Sequence, residues 1–475
     1  MATFHLLNFG CRASQADGAA LKKQLLQAGL QEVADLRQSQ VALLNTCTVT
    51  ATADAEIRQL VRRIHRLNPR CRILVTGCYA QRAPEEIVQL EGVAWVVGNS
   101  HKHTIAELLK GGLASCVRSP ESSTGDRPTL IQMRGVASDS PAVSSPTHDS
   151  ASSDTALRTP DSPTVLVGEI SDEFHFAPVF PDDRTRPTLK IQDGCNARCS
   201  FCVIPHVRGR SRSLAPEKAL EQIRALEQDG YQEIVLSGIN LGSYGRDLGR
   251  RITFLGLLEG ILQETSIRRI RISSIEPMDV GGALIRLVAQ EPRLARHFHV
   301  PLQSGCDRML RLMNRRYWAA QYADRLLAIH AQVPNAGIGA DVMVGFPGET
   351  DQEHAASLRF IDSRPFTYLH IFPYSARPGT PAADSPHQVN GRVARERSRE
   401  IRALIAEKRR AFLNAQIGQS VSALTLDETA DGARIALTTN YLKVALLGSE
   451  LPANRLLNVW VGRVQNALLY GYPEP

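Results

Sequence analysis

No stretch of this chain is apolar for the length a membrane-spanning helix needs. The start, Met1-Ala-Thr-Phe-His-Leu-Leu-Asn8, lacks the charged lead and long apolar run of a secretory signal, and reads instead as a buried strand. The expectation is a cytoplasmic protein, where disulfides are rare and the nine cysteines stay reduced. Charge is not strongly one-sided either. A net +7 permits a polyanionic partner without demanding one. No internal repeat stands out. The most informative absence is local: Cys195, Cys199 and Cys202 have no fourth cysteine close by.

At 475 residues the chain is long for one domain, and its apolar content is ample for several cores. Residues 1–117 alternate short apolar strands (Thr3–Asn8, Val41–Asn45, Arg72–Thr76, Val93–Val97) with helical patterns (Ala16–Gln27, Ala53–Arg66, Pro84–Leu90). That order predicts a parallel sheet sandwiched between helices. Residues 118–166 turn rich in Ser, Pro, Thr and Asp, and read as a disordered linker or insertion. Over 181–415 the alternation resumes, with strands at Thr188–Gln192, Glu233–Ser237, Arg268–Ser274, His297–Leu302, Ile338–Val344 and Tyr368–Phe372. Six strand–helix repeats predict a partial parallel barrel, whose chemistry gathers at the C-terminal strand ends. A charged helix, Arg392–Arg410, follows. Residues 416–475 read as a small β-barrel, from strands Ser420–Thr425, Arg434–Leu437, Leu442–Leu446 and Val459–Leu469. The fold class is therefore α/β and multidomain.

The cysteines carry the chemistry. Cys195, Cys199 and Cys202 follow directly on the strand ending at Gln192, so they lie on a loop at a C-terminal strand end. A four-iron cluster takes four protein thiolates, and three leave one iron open to a ligand. The alternative is a zinc knuckle with His206 as fourth ligand. A second set lies in the N-terminal domain. Cys11, Cys47 and Cys78 each follow a strand, and in a parallel sheet those strand ends share one edge. Gly10 and Gly77 allow tight turns there. Cys71 precedes its strand, Cys116 lies at the linker, and Cys306 has no cysteine partner nearby; these three read as incidental thiols.

The triad loop after the first strand of a βα-repeat domain resembles the cluster motif of radical S-adenosylmethionine enzymes. Its pairing with the N-terminal cysteine set resembles the methylthiotransferase family. The motifs that carry this are Asn45-Thr-Cys-Thr-Val-Thr50, Val75-Thr-Gly-Cys-Tyr-Ala-Gln81, Ser237-Gly-Ile-Asn240, Gln303-Ser-Gly305, Met313-Asn-Arg315, Asp341-Val-Met-Val-Gly-Phe-Pro-Gly-Glu-Thr350 and Phe372-Pro-Tyr-Ser-Ala-Arg-Pro-Gly-Thr380. The resemblance covers the chain apart from the linker. It implies two 4Fe–4S clusters, one on Cys195, Cys199 and Cys202 and an auxiliary one on Cys11, Cys47 and Cys78. It also implies S-adenosylmethionine as cofactor and an electron donor such as flavodoxin or ferredoxin. The 118–166 insertion is longer than the family usually carries, and Cys306 stands where relatives tend to have a small polar residue.

Strand-end positions nominate Ser237, Gly238, Ser274, Glu276, Gln303 and Asp341 as cofactor contacts, although Ser and Gly also serve turns. Arg208, Arg210 and Arg212 alternate with small residues just after the triad and are candidates for phosphate. The terminal barrel resembles the TRAM domain, an RNA-binding module. Tyr441 and Lys443, with Arg463, Tyr470 and Tyr472, are candidate RNA contacts. The run Thr438-Thr-Asn-Tyr-Leu-Lys-Val444 resembles the family branch acting on N6-threonylcarbamoyladenosine of transfer RNA at ring carbon 2. The isopentenyladenosine branch and a ribosomal-protein aspartate methylthiotransferase remain as alternatives, and a non-enzymatic RNA-binding metal protein as a third.

Overall fold

Alternation of side chains along the first strands decides the N-terminal fold. The computed structural model describes residues 2–114, 163–170, 185–249, 251–448 and 451–474. Strands β1 (Thr3–Asn8), β2 (Gln31–Glu32), β3 (Val41–Thr46), β4 (Arg72–Gly77), β5 (Val93–Val97) and β6 (Thr164–Leu166) form one parallel sheet in the order β2-β1-β3-β4-β5-β6. Ala42, Leu44, Ile73 and Val75 pack on one face against Ile57, Val61 and Ile64 of the helix Ala51–Leu67. Val41, Leu43 and Leu74 pack on the other against Leu21 and Leu25 of the helix Arg12–Gln27. A central strand buried on both faces reads as a continuous apolar run, as Val41–Leu44 does.

β6 differs from expectation. Most of the segment read as a disordered linker lies outside the described residues, but its last three residues add a strand to the edge of β5. Thr164-Val165-Leu166 has the β-branched character that suits an edge position.

The second unit contains β7 (Thr188–Lys190), β8 (Gln192–Asp193), β9 (Arg212–Ser213), β10 (Glu233–Ser237), β11 (Arg269–Ile272), β12 (His297–His299), β13 (Gly337–Val344) and β14 (Tyr368–Pro373). Two parallel three-stranded sheets, β11-β10-β7 and β12-β13-β14, meet through single bridges Ile270–Leu294 and Ser274–His299. The result is the expected partial barrel of six parallel strands. Along β13, Ile338, Ala340, Val342 and Val344 face the helical layer and enter one large core, which leaves Gly339, Asp341 and Met343 for the inner face. The short β8–β9 ladder folds the chain back around the cysteine loop.

β15 (Ser420–Ala430), β16 (Ala433–Thr438), β17 (Lys443–Leu446), β18 (Leu456–Gln465) and β19 (Leu468–Pro473) close a barrel in the order β15-β16-β17-β19-β18. The stretch read as one strand, Val459–Leu469, is two. A two-residue turn at Asn466-Ala467 has positive φ at both positions, 51° and 58°, as a tight hairpin requires. Alanine there hides the usual turn signal. The C-terminal barrel docks through buried charge: Arg271, fully buried and paired to Glu233 at 2.8 Å, donates to the carbonyls of Thr438 and Thr439, each at 3.1 Å.

Candidate active site

The loop 195–202 is fixed by its flanks. Gly194 has φ +70°, and a Cβ there would stand 1.9 Å from the Arg210 carbonyl oxygen, so only glycine fits. Gln192 Nε2 donates to the Asp193 and Gly194 carbonyls at 2.9 and 2.8 Å and to Ser211 Oγ at 2.9 Å. The Cys195 amide donates to the Gly209 carbonyl at 3.1 Å. Side chains then converge on sulfur: Arg315 Nη1 lies 3.3 Å from Cys199 Sγ, and the Ala197 amide 3.4 Å from Cys195 Sγ. Burial pushes the Cys195 thiol up and the Cys202 thiol up to about 12. Such thiols ionise only with a strong positive partner, which a metal supplies.

At the sheet edge β1, β3 and β4 end in register, with Asn8 opposite Asn45 and Thr46 opposite Gly77. Cys11, Cys47 and Cys78 follow them. A Cβ on Gly10 (φ +102°) would lie 2.5 Å from Cys47 Cβ, which shows how tightly the first loop crosses the second. Burial, then the neighbouring Cys78 and Cys11, push the Cys47 thiol up to about 12. Among the described residues, neither triad forms a group of ligand atoms within 4.8 Å of one another. That places neither triad in the tight geometry of a single zinc ion. His206, the alternative fourth zinc ligand, is exposed.

The two triads adjoin. Cys78 packs against Val203, Ile204 and Val207, immediately beyond Cys202. Asn99 Nδ2 reaches both Cys78 Sγ (3.6 Å) and the Val207 carbonyl (2.8 Å). Beneath them lies a buried ion network. Arg208 donates to both Asp193 oxygens, at 3.0 and 3.1 Å, to Asp17 Oδ2 at 3.0 Å and to Ser14 Oγ at 3.2 Å. Lys190 pairs with Asp17 and, at 2.8 Å, with Asp193; Lys102 pairs with Asp17 at 3.2 Å. Burial opposes ionisation of both carboxyls. The surrounding cations outweigh it, holding Asp193 at about 2 and Asp17 far below the usual range.

This corrects one expectation. Arg208 is 2% exposed and committed to Asp17 and Asp193, so it is not a surface phosphate contact. Arg212 donates to the Arg208 carbonyl at 2.8 Å, and Arg210 remains exposed. Tyr441 is also diverted. Its backbone has φ +70°, its hydroxyl accepts from Arg12 Nη2 at 2.9 Å, and its ring lies 4.5 Å from that of His297. It wedges between domains, with His297, Arg12 and Arg271 gathered against its ring. Lys443 is exposed and paired with Glu428 at 2.6 and 2.9 Å. The exposed aromatics of the C-terminal barrel are Trp460, which the sequence reading did not nominate, and Tyr472, opposite each other on β18 and β19.

A cavity of about 320 Å³ opens beside Cys199, lined also by Asn240, Ser243, Glu276, Asp279 and Arg315. Its size suits a small-molecule cofactor. Of the strand-end candidates, Glu276 lines it, bound by Arg315; burial pushes its carboxyl up against that cation. Ser237 is buried at 1% exposure, and Gly238 lies against Gln192. Ser274 bridges to His299, and Gln303 takes φ +62° with its amide on the Asp341 carbonyl at 2.8 Å. None of these four lines the cavity. Asp341 engages His299 and His370. Asn240 and Arg315 carry contacts to sulfur that spacing alone did not single out, although both stand in the motifs quoted above. Cys71 is buried against Ser39 at 3.4 Å, Cys306 packs beside Met309 and Met313, and Cys116 lies outside the described residues.

Residues 189–361 match the family model described as Radical SAM superfamily, and residues 3–98 that described as Uncharacterized protein family UPF0004. The protein is thus a radical S-adenosylmethionine enzyme, whose chemistry uses that cofactor and a 4Fe–4S cluster. The threonylcarbamoyladenosine tRNA methylthiotransferase MtaB of Aquifex aeolicus is 34% identical, over 92% of this chain and 94% of its own. The protein of that name from Bacillus subtilis is 33% identical, over 100% and 95%. The tRNA-2-methylthio-N(6)-dimethylallyladenosine synthase of Pelotomaculum thermopropionicum is 31% identical, over 91% and 88%. The chain belongs to the radical S-adenosylmethionine methylthiotransferase family. The radical S-adenosylmethionine methyltransferase TsrM of Kitasatospora setae shares the fold, with TM-score 0.53 at 15% identity over 81% of this chain and 77% of that one.

Proposed function

We propose that this enzyme adds a methylthio group to carbon 2 of N6-threonylcarbamoyladenosine beside the anticodon of transfer RNA. One 4Fe–4S cluster sits on Cys195, Cys199 and Cys202, and an auxiliary one on Cys11, Cys47 and Cys78. When bound, the clusters and S-adenosylmethionine supply radical cleavage of an unreactive C–H bond and a methylated sulfur to place there. The chain does the rest. Arg315 holds Cys199 and Glu276 at the cavity wall. Asn240 Nδ2 approaches Cys195 at 3.9 Å. The Asp17–Arg208–Asp193 network keeps the two thiol sets in one rigid frame.

The observation that carries this reading is the packing of Cys78 against the helix that begins just after Cys202. It puts two three-thiol sites side by side, as consecutive handling of radical and sulfur demands. The names of the relatives support the threonylcarbamoyl branch. The terminal barrel is an RNA-binding module of the TRAM type, with Trp460 and Tyr472 exposed for stacking. A low-potential donor such as flavodoxin or ferredoxin feeds the first cluster.

Nucleoside mass analysis of transfer RNA from cells lacking the gene is the test. Loss of the methylthio form of threonylcarbamoyladenosine supports the reading. Its persistence, with loss of methylthio-dimethylallyladenosine, assigns the enzyme to the other branch.

A further inference from the structure

The inner face of the barrel carries a second ligand set that the cysteines do not explain. His299, Asp341 and His370 come from the adjacent strands β12, β13 and β14, with Asp341 directly opposite His370 in register. Their ligand atoms all lie within 4.8 Å of one another. Asp341 Oδ1 stands 3.2 Å from His299 Nε2 and 3.4 Å from His370 Nδ1. Hydrogen bonds between charged partners are shorter, about 2.7–2.9 Å. Two ligand atoms on one tetrahedral ion, each about 2.0–2.2 Å from it, stand about 3.3–3.6 Å apart. At 3.2 and 3.4 Å the two contacts are long for charge-assisted hydrogen bonds and compatible with three ligands around one ion.

The set is also supported from behind. Tyr368 Oη lies 3.0 Å from His299 Nδ1 and 2.7 Å from His297 Nε2, fixing the ring so that Nε2 faces Asp341. Tyr368 reaches this place because residue 339 is glycine: a Cβ there would stand 1.9 Å from its ring. Metal-bound histidines are held in this way through their second nitrogen. His299 is buried, Asp341 partly so, and the His370 side chain is 55% exposed, so the site has a closed back and an open front. Arg12, next to Cys11, touches Tyr441, whose ring lies 5.9 Å from that of Tyr368. The site therefore lies near the auxiliary cysteine loop.

We propose that His299, Asp341 and His370 bind a divalent first-row transition ion such as zinc, with an open position for an anionic oxygen. Two imidazoles and one carboxylate suit such an ion better than magnesium or calcium. Resting on the function proposed above, the oxygen is the carboxylate of the threonyl group on N6 of the target base. The dimethylallyl group has no such atom.

The experiment titrates zinc into the anaerobic cluster-loaded enzyme by calorimetry, with X-ray absorption at the zinc edge. One tight site with nitrogen and oxygen ligands is expected, weakened at least tenfold in His370→Ala and in Asp341→Asn while iron content is unchanged. No tight site, a sulfur-ligated one, or affinity in both variants equal to that of the native protein overturns the proposal. His370 is exposed, so its replacement spares the core. An anticodon stem-loop bearing threonylcarbamoyladenosine is expected to tighten zinc binding, and one bearing unmodified adenosine is not. Equal effects of the two RNAs would overturn the carboxylate assignment while the zinc result stands. The transfer RNA nucleoside analysis tests the proposed function separately.

Discussion

Arg208 Nη2 and Asp17 Oδ2 lie 3.0 Å apart, one on the helix that follows Cys202 and the other on the helix that follows Cys11. The contact ties the two cysteine sites by a buried charge pair. Removing one partner of such a pair leaves the other uncompensated and costs about 3–5 kcal/mol. Arg208→Met is therefore expected to lose about that much stability in denaturant unfolding. It is also expected to lower sulfur insertion more than S-adenosylmethionine cleavage, because cleavage needs only the Cys195, Cys199 and Cys202 site. Unchanged stability would show that the pair does not join the domains.

Acid should loosen the same junction. Asp193 is held at about 2 against an ordinary 3.8. A folded value below the unfolded one means that the stabilisation is complete above pH 3.8 and lost as pH falls through about 2. Unfolding of metal-free protein across that window is expected to show a steeper loss of stability for the native chain than for Asp193→Asn. Parallel curves would contradict it.

Arg315 positions sulfur and carboxylate together. Arg315→Lys keeps the charge and loses the fork that serves Cys199 and Glu276 at once. Changes in such supporting contacts typically cost about 10–100-fold in affinity or activity. A drop of that size in 5′-deoxyadenosine release is expected, with cluster iron retained. A wild-type rate would remove Arg315 from the site.

Without metal, the thiols of Cys47 and Cys202 are pushed up to about 12 by burial. Their alkylation in metal-free protein is expected to keep accelerating past pH 9.0, the ordinary thiol value. A plateau near that value would mean that solvent reaches them freely.

The convergence of Cys11, Cys47 and Cys78 on one sheet edge was legible because each follows a strand and the strands are parallel neighbours. Arg208 was misread because its sequence neighbours, Gly209 and Arg210, suggest an open basic loop. Its partner Asp17 is remote in sequence, and only the packing of the two domains reveals it. Tyr441 failed for the same reason: a hairpin aromatic looks free until Arg12 and His297 close on it. His299, Asp341 and His370 are spread over three strands. Their meeting depends on register, which periodicity does not supply.

The most direct measurement compares anaerobically reconstituted native enzyme with the triple variant Cys11→Ala, Cys47→Ala, Cys78→Ala. The variant is expected to hold about half the iron and sulfide of the native protein, since each triad accounts for one cluster. It should still release 5′-deoxyadenosine from S-adenosylmethionine and insert no sulfur into RNA. Equal iron in the two proteins, or methylthio product from the variant, would contradict the account.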